Sequence, residues 1–299
     1  FFFKQTTAYE LMPSLVGSEM CIRDRDKVAM ANYTEIIEGR GTPNNGVYLD
    51  ISHKSKDLII EKLPRMYRQF LDTLMIDISK KPMEVAPTAH YSMGGVIVDS
   101  DTHKTNIEGL YAAGEVTSGV HGANRLGGNS LAELLIFGRR AGRSASERSK
   151  NIDIQYRSKE CINLAHDKIN SFIKSGSQMA RPLQRELRNI MWEYCGVVRD
   201  ASKLKKGLEK IDDLKKSLHE LDVRPNTEGF EDLMLAFDLE GSIISASATL
   251  LSAAKRQESR GAHQRSDYKE IDDSFNLNIK VDMDLNSNLL ICLLYTSPS

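Results

Sequence analysis

Near Asn151 the chain changes character. Before it, short apolar runs such as "GVIVD" and "GLYAAGE" alternate with turn-rich segments; after it, helix follows helix, with cuts near Ser175 to Arg181, around Gly196 to Arg199 and at "VRPNTEG". The chain therefore reads as α+β: a mixed portion joined to a helical domain packed on its own core. With 299 residues it has length for one large or two smaller cores.

Within the first portion, "DKVAMANYTEIIE" (Asp26 to Glu38) carries a helical pattern, and "GRGTPNNGVYLD" is a turn-rich link into a short strand. A second helix is expected from Lys56 to Leu74. "KKPMEVAPTAHYSMGG" reads as an irregular loop, with Pro87 holding its predecessor extended. It delivers the two strand-like pieces, separated by a polar turn around Ser100 to Asn106. A helix then runs from Ser130 to about Arg148. In the second portion, the segment from Glu228 to Lys255 places Leu233, Phe237, Ile244, Ala248 and Leu251 on one side, with Asn226 or Thr227 to cap it. "ESRGAHQRSDYKEIDD" ends the helices, and the tail beyond has weak strand character.

Forty basic residues against forty-one acidic, with no basic stripe, argue against nucleic acid and against an anionic membrane surface. Apolar windows such as "ISASATLLSAA" read as too short to cross a bilayer, so the expectation is a soluble, intracellular protein. The two ends look foreign. Written as ATG TGT ATA AGA GAC AG, "MCIRDR" (Met20 to Arg25) has a reverse complement that encodes "CLLYT", which is Cys292 to Thr296. Residues 1–25 and 292–299 are thus expected to be adapter-derived, to be set aside from the fold. Of the four cysteines this leaves Cys161 and Cys195, expected to be buried apolar residues outside any metal-ligand spacing.

The most informative stretch is "HGANRLGGNSLAELLIFGRRAG", His121 to Gly142. Gly127 and Gly128 remove side chains where a backbone must turn tightly or approach a flat ligand. Asn129 or Ser130 can cap the helix behind them, whose first-turn amides suit an electron-rich group. Arg125 adds a planar fork that matches a carboxylate. From local pattern alone, a capped surface helix with a solvated arginine fits equally well.

The ordered set "PTAHYSMGG", "GLYAAGE", "HGANRLGGNSLAEL" and "ESRGAHQRSDY" resembles the flavoprotein subunit of succinate dehydrogenase and fumarate reductase, over nearly all of Asp26 to Ile291. L-aspartate oxidase, of the same superfamily, more usually has an alanine-serine pair where "GG" stands here. The resemblance implies the C-terminal fragment of a FAD-binding α/β flavoprotein. Residues 26–86 would be a capping-domain remnant, 87–150 the end of the FAD-binding domain with its substrate loops, 151–257 the helical domain and 258–291 a tail. The ADP-binding unit and the FAD-anchoring histidine would lie upstream.

By the same resemblance, His90 of "TAHY" and Arg125 of "HGANR" hold a C4-dicarboxylate; without the motif, His90 is a satisfied loop or core histidine. Glu115 of "AAGE" accepts hydrogen bonds from FAD, and Ser130 and Leu131 contact the flavin at the helix start. An Arg-Asp pair precedes "EIIEGRG" at Arg25 and Asp26, which makes Arg25 the catalytic proton donor and acceptor. His121, Asn124, Arg260, His263 and Arg265 also lie in the motifs and are expected to brace the site. The implied activity interconverts succinate and fumarate with FAD and exchanges electrons with an iron-sulfur subunit. The protein would sit at the cytoplasmic face of the membrane and touch it only through partner subunits. Two alternatives stand beside it: an L-aspartate oxidase-like flavoenzyme, and a non-catalytic interaction module made of the Asn151 to Lys255 helices.

Overall fold

The structure, a computed structural model, describes residues 19–154, 156–224, 231–284 and 287–294; of 19–27 it describes the backbone only. The chain divides into two compact units, Phe1–Glu147 and Arg148–Ser299.

In the first unit, helix α1 (Glu19–Ile37) is followed by β1 (Val47–Leu49), α2 (Lys56–Lys62), α3 (Pro64–Leu74) and β2 (Met83–Val85). β1 and β2 pair antiparallel, Val47 opposite Val85 and Leu49 opposite Met83. The single helix expected over 56–74 is two. Pro64 occupies the first turn of α3, and it pushes Leu63 out of the helical region to φ −130, ψ 48. Ser55 caps α2 by accepting from Leu58 N, and Met75, at φ 56, ends α3 in the left-handed region. Ile59, Tyr67, Ile51, Ile78 and Met83 then close over one another as a small core.

The strands expected at "GVIVD" and "GLYAAGE" are single bridges instead, Val96 with Thr117 and Lys104 with Tyr111. A run becomes a strand only when a neighbour lies alongside it, and each of these finds one residue. Val96, Ile97 and Leu110 stay exposed. The approach at Gly95 is close: a Cβ there would overlap the Val116 carbonyl oxygen. Helix α4 (Asn129–Lys150) closes the region and buries Glu133 and Ala141.

The second unit holds α5 (Lys159–Phe172), α6 (Ala180–Cys195), β3 (Val198–Arg199), α7 (Ala201–Ser217) and α8 (Glu231–Lys255), then β4 (Gln264–Arg265) and the hairpin β5 (Asn278–Met283) with β6 (Leu289–Leu294). Helices α6, α7 and α8 pack on one another around Leu183, Leu187, Ile190, Leu204, Ile211, Leu239 and Leu250. Burying each such side chain stabilises by about 1.5–3 kcal/mol. Asp200 caps α7 through Lys203 N, and β3 pairs parallel with β4. Strand β6 runs through Cys292 to Leu294, the start of the segment expected to be foreign.

Three expectations need correction. The buried face of α8 is Ala236, Leu239, Ile243, Ala246, Leu250 and Ala253, while Ile244 is exposed. This helix is apolar nearly all round, so periodicity alone could not choose its face; the small residues face the neighbours because they let helices approach. At 25 residues it is also long and apolar enough to cross a membrane by length and composition, and that same face packs into the helical core. Cys195 is buried as expected, its thiol pKa pushed up by desolvation, but Cys161 is exposed because α5 buries none of its residues. The expected caps Asn226 and Thr227 lie outside the described residues.

Candidate functional site

Residues 90–92, 115, 121–125 and 130–133 reach the functional region on three segments: the irregular loop after β2, the turn at Gly114, and the glycine loop that leads into α4. The loop takes left-handed backbone at Gly119 (φ +99), Gly122 (φ +55) and Gly128 (φ +81). Nothing lies within 4 Å of a Cβ built at Gly128, so the mouth of the helix is open there. The Leu131 amide donates to the Gly128 carbonyl at 3.1 Å as α4 begins.

Tyr91 is the hub. Its ring lies under Arg125, with the guanidinium carbon 4.5 Å from the ring centroid, and it meets the His121 ring edge-on at 5.5 Å. Its hydroxyl donates to Glu133 Oε2 at 2.5 Å, and His121 Nε2 donates to the same oxygen at 2.7 Å. Glu133 is 4% exposed. Burial raises a carboxyl pKa, yet the hydrogen bonds from Tyr91 and His121 and the positive charge of Arg125 hold Glu133 below its usual value. Burial and that acidic neighbour push Tyr91 up to about 12. Both groups therefore keep their roles at neutral pH, one as donor and one as acceptor.

Arg125 donates through Nη1 to the Leu126 carbonyl at 2.9 Å, while its buried Nε has no partner among the described residues. His90, one residue before the hub, is exposed, and no interaction joins its imidazole to Arg125 among the described residues. On the other side of the loop, the Ser92 amide donates to Glu115 Oε1 at 2.9 Å. Ser130 is half-buried and Leu131 is 68% exposed. So the fold brings Arg125 to the immediate neighbour of His90 and ties Glu115 to the residue after it. The side chain of Arg25, in the backbone of α1, lies outside the described residues.

Arg260, His263 and Arg265 belong to the second unit, where they knit the tail to the end of α8. Fully buried Glu258 accepts from Arg256 and Arg260 and from the Asp272 amide. His263 accepts from Arg199 at Nδ1 and donates from Nε2 to the Arg256 carbonyl. Arg265, 3% exposed, forks onto Asp267 and also donates to the Ala253 carbonyl.

Residues 6–131 match the family model described as FAD binding domain, and residues 184–287 match the one described as Fumarate reductase flavoprotein C-term. Over 247 residues the chain is 47% identical to a subunit of the fumarate reductase (CoM/CoB) of Methanothermobacter marburgensis, covering 82% of this chain and 44% of that protein. It is 35% identical to the fumarate reductase flavoprotein subunit of Escherichia coli K12 over 261 residues, 81% of this chain and 42% of that protein. On the solved structure of Mycobacterium smegmatis Sdh1 it superposes with a TM-score of 0.82 at 34% identity, covering 92% of this chain and 47% of that one. The chain belongs to the fumarate reductase and succinate dehydrogenase flavoprotein family. It spans about half the length of the curated relatives it matches.

FAD is the cofactor that the matched family domain binds. The residues here fit such a group: an open glycine at a helix start, whose end carries partial positive charge, and an exposed Leu131 to lie against a flat ring. Sequence reasoning passed over Tyr91 and Glu133. A signal existed for Glu133. It stands in series with Phe137 and Ala141, four residues apart along α4, where the face is otherwise apolar and covered.

Proposed function

We propose that the full-length parent of this chain interconverts succinate and fumarate and exchanges electrons with an iron-sulfur subunit. It works at the cytoplasmic face of a membrane that it touches only through its partners. The observation that carries the proposal is Arg125. Its guanidinium is held over Tyr91 at the mouth of α4 with a buried Nε still unengaged, and it stands next in space to the residue that follows His90. The similar proteins, named fumarate reductases and succinate dehydrogenase components, support the same reading over an L-aspartate oxidase or a non-catalytic helical module.

Glu115, Ser130 and Leu131 would hold FAD, which when bound supplies the hydride chemistry. The protein's task is then to bind and orient a doubly charged four-carbon acid. Arg125 takes one carboxylate as a planar fork, and His90 adds an imidazole N–H from the adjacent loop. Fixing both ends removes the rotational freedom of the substrate before reaction. Arg25 serves as the proton donor and acceptor at the substrate carbon. A guanidinium normally keeps its proton, so its neighbours must make the transfer feasible.

The test uses the full-length parent loaded with FAD. It is expected to reduce fumarate with a reduced viologen dye and to oxidise succinate with an artificial acceptor, and to make no peroxide from L-aspartate and oxygen. Arg125→Ala is expected to lower turnover by about a hundredfold or more. Peroxide from L-aspartate, or undiminished turnover in Arg125→Ala, removes the proposal.

A further inference from the structure

Two side chains must hold Arg125 in place, and neither carries formal positive charge to repel it. One is the Tyr91 ring beneath it. The other stands behind that ring, in α4, and does not touch the guanidinium through any hydrogen bond: Glu133, whose side chain is 2% exposed. A carboxylate taken this far out of water is costly unless several donors satisfy it. It has two, and both converge on one oxygen, Oε2.

From this geometry we infer that Glu133 is a positioning residue for dicarboxylate binding, acting through Tyr91 and His121 to hold the guanidinium of Arg125 in its productive place. The inference rests on the function proposed above for Arg125. An ionised carboxylate only accepts, so both Tyr91 and His121 donate. That places a proton on His121 Nε2 and fixes which way the imidazole faces. With hydroxyl and imidazole tied to one atom, the two rings are held side by side, and the edge contact with His121 at an interplanar angle of 74° limits how the Tyr91 ring can turn.

A phenol that donates to a carboxylate is also polarised. Electron density moves toward the ring, and its face attracts a cation more strongly. Glu133 therefore acts on Arg125 twice: it sets the plane on which the guanidinium rests, and it makes that plane a better partner. The depressed pKa of Glu133 and the raised pKa of Tyr91 agree with a charge kept on the carboxylate and a proton kept on the phenol. Arg125 in turn needs this floor, because the one hydrogen bond it makes in the described structure is to the carbonyl of its own neighbour, Leu126.

The experiment uses the full-length, FAD-loaded parent and measures the dissociation constant of malonate, a dicarboxylate that does not react, from the change it causes in the flavin spectrum. Glu133→Gln keeps the shape and removes the charge. It is expected to retain flavin and to weaken malonate about tenfold. Tyr91→Phe deletes the single hydroxyl that couples ring to carboxylate, and it is expected to weaken malonate several-fold even if Glu133→Gln folds poorly. In a double-variant cycle, adding Glu133→Gln to Arg125→Ala is expected to cause no further loss, because the group being positioned is already gone. Wild-type affinity in both Glu133→Gln and Tyr91→Phe, or a full additive loss in the double variant, overturns the inference. If Arg125→Ala itself binds malonate normally, the functional proposal falls and takes this inference with it.

Discussion

His263 shows how one residue can make the helical unit sensitive to pH. Desolvation lowers its pKa to about 4, assisted by the positive charges of Arg199, Arg265 and Arg256. With Nδ1 accepting from Arg199 and Nε2 donating to a carbonyl, the ring is held neutral. The folded value lies below the ordinary 6.5, so the stabilisation is fully present above pH 6.5 and is lost as pH falls toward 4. Screening on a half-buried ring brings the effect to about 1–2 kcal/mol. Urea unfolding of the chain, followed by the fluorescence of Trp192, is expected to show midpoints that decline through this window. His263→Gln is expected to start less stable at pH 7.5 and to decline less steeply; an unchanged slope would show that another group titrates there. At this scale the sequence was legible for the turn before α4, where Gly128 takes left-handed backbone with open space around it and the helix begins at Asn129. It was illegible for Tyr91 and Glu133, 42 positions apart, because their roles exist only once a loop and a helix meet.

Among the elements, the helices were readable, as were the short strand ending "GRGTPNNGVYLD" and the strand character of the tail, while the strands expected at "GVIVD" and "GLYAAGE" did not form. Helical periodicity is local, so α4, α6 and α7 could be read close to their true limits, and the break at Leu63 follows from Pro64 alone once its steric effect on the preceding residue is applied. A strand depends on a partner, and "GVIVD" and "GLYAAGE" find only one bridging residue each. Choosing the face of α8 likewise needed its neighbours. One of them is Gly207 in α7, where an added Cβ would meet Tyr194 Cβ at 2.8 Å and Leu250 Cδ2 at 2.9 Å. An alanine there gains helix propensity of up to about 1 kcal/mol, but overpacking costs about 1–3 kcal/mol. Gly207→Ala is therefore expected to lower stability on balance. Gly241 in α8, with nothing within 4 Å of an added Cβ, supplies the opposite case. Gly241→Ala is expected to raise stability by about 0.5–1 kcal/mol in the same urea titration. Equal effects at the two sites would mean that the close approach at Gly207 is relieved by a shift of the helices.

For the whole molecule the decisive feature is the mismatch between what α4 buries and what it leaves open. It covers the carboxylate of Glu133, yet Leu131 is 68% exposed, Leu134 53%, Leu135 78% and Ile136 56%. A helix that hides its acid and shows its leucines presents an apolar face suited to a further contact. The curated relatives carry roughly as much chain again, since this chain spans 44% of one and 42% of another. The FAD ligands proposed here, Glu115, Ser130 and Leu131, provide a helix start and one carboxylate, which hold only one part of a large dinucleotide. Residues 26–291 expressed alone are therefore expected to purify without the yellow flavin absorbance, and to leave fumarate unreduced. Supplying the remaining part of the full-length parent in trans is expected to restore both colour and turnover, because the exposed leucines of α4 give it a surface to bury. Yellow, active protein from residues 26–291 by themselves would show that the helix start and its carboxylate suffice for FAD, and that the exposed face of α4 serves some other contact.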